Sequence, residues 1–433
     1  MDPLLVGIIG VVVLIIGFFT GIPVAFVMAL VGFAGFSYLN SLEAAYSRLV
    51  MDLWDVFSGY NLTVIPMFIL MGSLAFYSGA SSRLYNAAYT IFGRMRGGLG
   101  IATMMACGAF GAMSGSGAAA EATMSRVALP EMRKRGYDPR LATGCIAAGG
   151  PLAVLIPPSA GAIIYCVLIG ASISHQFIAG ILPGLMKMIM HSMTVYIRCL
   201  LKPHYGPPGE ATTIKQKLRS IWGVTEMALL FILVMGGLFM GVFTPTEAGA
   251  IGAVGALGIA LVRRGLVWRG FIGALGDAVR ISTMLFIIVA GAHTFSHFIT
   301  ITGFSVAIQE WLQGLQVSPI VVIYLISLVF IMGGFFIEVI ALVVLLVPIF
   351  YPVISALGFD PVWFGVLILL LGNIGTKTPP VGIAAYIIHG VAKDIPLETI
   401  FRGIIPHVMT DFVGIIIIIH IPQIVTVLPN MMS

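Results

Sequence analysis

The chain has 433 residues, 59% of them hydrophobic and 9% charged, with a mean hydropathy of +1.08. This composition excludes an ordinary soluble domain and places the chain in a membrane. The formal net charge of +5 then bears on topology, because a nucleic-acid role needs a folded basic face and no soluble region is present to carry one.

A spanning helix needs roughly 20 apolar residues. Candidate runs lie at 4–20, 24–40, 63–79, 141–173, 175–201, 223–243, 247–262, 272–300, 362–392 and 403–428. Apolar and polar residues do not alternate within them, so the pattern predicts an all-α polytopic protein and not a β-barrel. The first run follows MDP without a basic region, and no A-x-A-like site comes after it, so it is expected to span the membrane and not to be cleaved. Cys107, Cys145, Cys166 and Cys199 sit in apolar segments without paired spacing, which gives neither a disulfide framework nor a metal site. Trp54 and Trp311 suit interfacial belts.

The chain repeats itself. Residues 128–161 align without a gap on 350–383 at an offset of 222. Pro130 falls on Pro352, Gly136 on Gly358, Asp138 on Asp360, Pro139 on Pro361 and the pair Pro157-Pro158 on Pro379-Pro380. The same offset puts Pro23 on Pro245, and one inserted residue later Gly180 and Pro183 match Gly403 and Pro406. Two structural halves are expected, 1–201 and 222–433, joined by a basic linker at 202–221. Cytoplasmic loops collect Lys and Arg. The loop carrying RGYDP has Arg133, Lys134, Arg135 and Arg140, while its partner ALGFDPVW has none, so the halves are expected in inverted topology. The linker, with Lys202, Lys215, Lys217 and Arg219, is expected to lie on the cytoplasmic membrane surface as an amphipathic helix.

In each half a re-entrant hairpin is expected, about 98–130 turning at SGSG (114–117) and about 319–352 turning near GGFFIE (333–338). A broken helix follows each, about 141–173 interrupted at VLIPPS and about 362–392 interrupted at IGTKTPPVG. A proline pair removes two backbone donors and excludes helix at the residue before it. The freed carbonyls cannot face lipid, so two such breaks in repeat register mark a buried site for ions and anionic substrate.

In this order and spacing, RGYDP, LIPPS, FTPTEA, GFDPVWFG and TPPVG resemble the large membrane subunit of tripartite ATP-independent periplasmic (TRAP) transporters, over essentially the whole chain. The resemblance implies an elevator-type, sodium-driven secondary transporter in a bacterial or archaeal inner membrane. It would receive an organic acid, usually a carboxylate, from a periplasmic substrate-binding protein and act with a small four-helix membrane subunit. It also implies no enzymatic activity and no cofactor beyond the coupling sodium ions. Carried over by residue, a first sodium site would use Gly111, Ser114, Ala153, Ile156 and Pro157, and a second Gly334, Gly375, Thr378 and Val381. Ser116 and Gly117, where the family often has two serines, would face the substrate. A stand-alone ion-coupled carboxylate carrier of similar fold is the alternative. An intramembrane serine peptidase is disfavoured, since position 112 before Ser114 is Ala, Ser116 is preceded by Ser114 at the same spacing, and no base is identifiable.

Several polar residues have structural readings. Thr244 and Glu247 have capping-box spacing with Pro245 at the first helical position. His293 and His297, one turn apart, are expected to line or pack a helix, since two ligands do not complete a metal site. His191, His407, Asp411 and His420 are expected at interhelical or small-subunit contacts. Lys377 stands inside the second break, where an unpaired charge costs about 3 kcal/mol or more. Its expected partner is Glu338 at the second hairpin tip, as a clamp or with Lys377 as a surrogate cation; Glu121 is a further titrating candidate near the first hairpin.

Overall fold

The computed structural model describes residues 1–209, 212–314 and 317–432, without the side chains of 112–114 and 312–314. The first half holds α1 (Pro3–Phe18), α2 (Val24–Leu39), α3 (Leu42–Ser58), α4 (Val64–Tyr77), α5 (Ala80–Phe92), α6 (Gly98–Ser114), α7 (Gly117–Lys134), α8 (Pro139–Gly149), α9 (Leu152–Leu155), α10 (Ala160–Ile169) and α11 (Ile173–Leu201). After the linker helix α12 (Ile214–Trp222) come α13 (Thr225–Phe239), α14 (Pro245–Val262), α15 (Trp268–Ile301), α16 (Phe304–Gly314) and α17 (Pro319–Gly334). The chain continues through α18 (Val339–Ala356), α19 (Pro361–Gly375), α20 (Ile383–Val391), α21 (Leu397–His420) and α22 (Gln423–Asn430). Among the described residues, seven helices are long and apolar enough to cross a membrane, or eight if α12 and α13, bent by 53°, count as one. Apolar side chains such as Ile16, Leu30, Val254 and Val262 stand 60–84% exposed on the outside, as suits a surface that faces lipid or another membrane-embedded chain.

Helix starts recur at the repeat offset: α1 and α13 at 3 and 225, α7 and α18 at 117 and 339, α8 and α19 at 139 and 361. The local chemistry explains the last pair. Asp138 Oδ1 accepts from Arg140 N at 2.8 Å, and Asp360 Oδ1 accepts from Val362 N at 2.7 Å, each with Pro at the first helical position, where its missing N–H costs nothing. Gly136 and Gly358, at φ +71° and +77°, end the preceding helices in the left-handed conformation that glycine adopts without strain. The capping box at Thr244 is formed, with Glu247 accepting from Thr244 N at 2.9 Å.

Two expected runs are divided differently. The run 141–173 is three helical pieces, α8 to α10. The run 403–428 is also not continuous: α21 starts earlier, at Leu397, and stops at His420, because Pro422 offers no N–H to extend it, and α22 resumes at Gln423. The halves interlock. α2 packs along α15, α4 along α14 and α8 along α21. At the α8–α21 crossing the backbones touch, since a Cβ on Gly144 would lie 2.3 Å from Gly403 O. In the linker, Ile214, Leu218, Ile221 and Trp222 are 45–77% exposed on the apolar side of α12, which begins at a Thr213–Gln216 capping box.

Candidate functional site

The first break begins where α8 ends at Gly149; the chain makes the four-residue α9 and then runs through Pro157-Pro158 before α10 starts. Ser159 caps α10 through Ala162 N at 3.3 Å, and its hydroxyl donates back to Val154 O, so one freed carbonyl is satisfied by side chain. The tip joining α6 to α7 turns at Gly115, φ +60°, and Ser116 caps α7 through Ala119 N at 3.4 Å. That tip rests on the break. A Cβ on Gly111 would lie 2.4 Å from Ala153 Cα, and one on Gly115 would lie 2.9 Å from Pro158 O. Gly117 faces Val154 and the Gly150 carbonyl. The structure thus brings Gly111, Ser116, Gly117 and Ala153 together, with Ile156 and Pro157 in the same short stretch. The Ser114 side chain lies outside the described residues.

The second break is built likewise. α19 ends at Gly375, Thr376 to Thr378 make a turn, and α20 starts after Pro379-Pro380 and Gly382. The tip joining α17 to α18 interlocks with it, since a Cβ on Gly375 would lie 2.2 Å from the Gly334 carbonyl carbon. Thr378 Oγ1 donates to Ile374 O at 2.7 Å and keeps its acceptor lone pairs; Val381 is partly buried three residues on. Asn373, 1% exposed, has no partner for Nδ2 among the described residues. Sequence reasoning passed over Asn373 and Ser159, although an amide within LLLGNIG and a hydroxyl directly after a proline pair were the available signals.

The expected Lys377–Glu338 pair is not formed. Glu338 folds back on the start of α18, where Oε2 accepts from Ile340 N at 2.9 Å, a position that free amides and the helix dipole make favourable for a carboxylate. Lys377, fully buried, turns the other way and donates to Asp411 Oδ2 on α21. Asp411 Oδ1 lies 3.1 Å from Lys187 Nζ and 3.1 Å from His191 Nε2, and His191 Nδ1 is 3.2 Å from His407 Nδ1. The interhelical placement of His191, His407 and Asp411 was legible; Lys187 was missed, though a Lys between methionines in an apolar run announces a partner. Glu121, 4% exposed on α7, lies behind the first break, where a Cβ on Gly150 would stand 2.6 Å from its Oε1. It forms no ion pair among the described residues.

Elsewhere, His297 Nε2 is 3.3 Å from Asp52 Oδ1, and the fully buried Asp52 also takes Arg48 and Thr294. His420 pairs with the Tyr324 hydroxyl at 2.9 Å. Trp54 and Trp311 are 72% and 62% exposed.

Residues 11–424 match the profile of the family described as the tripartite ATP-independent periplasmic transporter, DctM component. The C4-dicarboxylate TRAP transporter large permease protein DctM of Pseudomonas aeruginosa is 32% identical over 385 residues, 88% of this chain and 89% of that one. The sialic acid TRAP transporter large permease protein SiaM of Vibrio cholerae is 31% identical over 414 residues, 95% of this chain and 96% of that one. In fold, the crystal structure of the YdaH transporter of Alcanivorax borkumensis superposes with a TM-score of 0.58 over 88% of each chain, at 15% identity. From its first apolar helix to its last, then, this chain belongs to the DctM family, the large permease component of TRAP transporters.

Proposed function

We propose that this chain is the translocating subunit of a binding-protein-dependent secondary transporter that takes up an organic acid together with sodium by an elevator movement. The observation that carries the proposal is the pair of interrupted helices, each touched by a glycine-bearing hairpin tip: Gly111 on Ala153 and Gly334 on Gly375. Broken backbone at membrane depth exposes carbonyls that a hard cation accepts and helix N-termini that attract carboxylates. In this reading one sodium ion travels between the first tip and break, held by oxygens of Gly111, Ser114, Ala153, Ile156 and Pro157. A second travels with Gly334, Gly375, Thr378 and Val381. Ser116 and Gly117, at the positive N-terminus of α7, face the acid's carboxylate. The halves lie in inverted topology in a bacterial or archaeal inner membrane, with both hairpins re-entrant and α12 resting on the cytoplasmic surface.

The DctM family supports two partners, a small membrane subunit and a periplasmic binding protein. The test is reconstitution of the chain with its small subunit in liposomes, with binding protein outside and labelled acid as cargo, a C4-dicarboxylate and sialic acid being the first probes. Uptake is expected to require both the binding protein and an inward sodium gradient. Uptake that proceeds without the binding protein would instead establish a stand-alone carrier, and uptake indifferent to sodium would remove the coupling assignment.

A further inference from the structure

Behind the second break, one carboxylate faces more cations than it neutralises. Asp411 meets Lys377 through Oδ2 and both Lys187 and His191 through Oδ1. All four side chains are at most 5% exposed. The Lys377 contact is a hydrogen bond as well as an ion pair. Lys187 Nζ lies 3.1 Å from the same carboxylate, yet it is aligned with no acceptor among the described residues. An ammonium carries three donors and no acceptor, so Lys187 is the least satisfied charge of the cluster.

A charge count sharpens the point. Two ammonium groups on one carboxylate leave one positive charge over, in a setting where an uncompensated charge is strongly disfavoured. The other groups that face the cluster do not cancel it. His191 and His407 are joined Nδ1 to Nδ1 and add no charge while neutral, and Arg198, further along α11, lies over the Tyr205 ring. Glu121 of α7 forms no ion pair with any of these groups among the described residues. Lys377 is tied to Asp411 by geometry, so the proton in excess belongs to Lys187. A crevice lined by Met186, Met190, Leu370, Thr410 and Ile415 opens beside it.

We propose that Lys187 is a proton-binding site that the transport cycle loads and empties, and that it acts on the second break by competing with Lys377 for Asp411. The proton adds to the Nζ lone pair of the amine and leaves by the same bond, and nothing else is made or broken. With Lys187 as amine, Asp411 belongs to Lys377 and holds the TKTPP turn against α21. With Lys187 as ammonium, the carboxylate is shared and that hold loosens. His191 keeps Nε2 on Asp411 Oδ1 in both states and fixes where the carboxylate points. The proton is thus a second coupling ion beside sodium, sensed from behind the break and not at its ion-facing side.

The inference rests on the transport reading, and the experiment separates the two. The reconstituted complex is given equal sodium on both sides, a membrane potential clamped at zero and a pH gradient of about one unit, interior alkaline. One coupled proton then supports up to about tenfold accumulation of the probe acid, since a pH unit corresponds to a tenfold ratio. Lys187→Met and Lys187→Arg hold the position permanently neutral and permanently charged. Each is expected to lose this accumulation. Exchange of labelled for unlabelled acid by the wild-type complex, without any gradient, reports transport itself. If the wild-type complex does not exchange, the transport reading falls and takes the inference with it. If it exchanges but does not accumulate acid on the pH gradient, or if either variant accumulates as the wild type does, the proton site alone is overturned. Should neither variant assemble, the wild-type response still decides, read with an external pH dye as proton disappearance in step with acid uptake.

Discussion

A methyl group on Gly375 has no room: its carbon would lie 2.2 Å from the Gly334 carbonyl carbon, backbone against backbone, where nothing flexible can yield. Gly375→Ala is therefore expected to push the hairpin tip off the break. The cost is about 1–3 kcal/mol of stability, the usual range for overpacking, with at least a tenfold loss of uptake rate. Gly258→Ala, at a position with nothing within 4 Å, is the control and is expected to change neither. Thermal unfolding of the purified complex and initial uptake rates check both. At Thr378 the hydroxyl donates to Ile374 O and keeps its lone pairs for a ligand. Thr378→Val is expected to raise the sodium concentration for half-maximal uptake several-fold, and Thr378→Ser to restore it; equal sodium dependence in all three forms would remove Thr378 from the ion path. Lys377→Met leaves Asp411 short of its closest cation. Lys187 remains 3.1 Å from that carboxylate, so a balanced pair survives and the melting temperature should fall only modestly, whereas Asp411→Asn leaves two buried ammonium groups without a carboxylate and should cost more, about 3–5 kcal/mol. Lys377→Met and Glu338→Gln should simply add, because those side chains do not meet.

What could be read from the sequence were features with local causes. Asp-Pro pairs start α8 and α19, glycine-rich turns separate α6 from α7 and α17 from α18, and proline pairs interrupt both broken helices, because each of these acts on its own few residues of backbone. The partner of Lys377 was not readable. Asp411 stands 34 residues away, and the choice between it and Glu338 depends on which way a long side chain leaves a turn and on the competing pull of the α18 N-terminus. The end of α21 was missed for a different reason: hydropathy runs straight through Ile421 and Pro422, while the hydrogen-bond ladder does not. Inverted topology makes its own prediction for the loops before α8 and α19. Tyr137 is a poor reporter, since it is 4% exposed with its hydroxyl on Leu99 N at 3.1 Å. Lys134 and its repeat mate Ala356 are exposed. Single cysteines there, in a background without the four native ones, are expected to react with an impermeant thiol reagent from opposite membrane faces. Reaction from one face would contradict the inversion.

The molecule is assembled across the linker as well as on either side of it. Gly32 lies against Phe295, Gly144 against Gly403 and Gly291 against Ala25, each contact joining a residue before the linker to one after it. Cutting the chain within 202–221 is thus expected to yield two fragments that are unstable apart and copurify when expressed together; a first half that is monodisperse alone would show that the crossings contribute little. The correspondence of helix starts does not extend to every element. Where the first half breaks between α3 and α4, the second runs on as the single 34-residue α15. At 1.5 Å per residue that helix is about 51 Å long, against a hydrocarbon layer of roughly 30 Å. Such a rod must lean or protrude, and α2 and α4, packed along it, share its inclination. Bilayer thickness thereby becomes a mechanical input: thinner lipid asks for more lean, thicker lipid for less, and the same chain is expected to run at different speeds in membranes that differ only in acyl length.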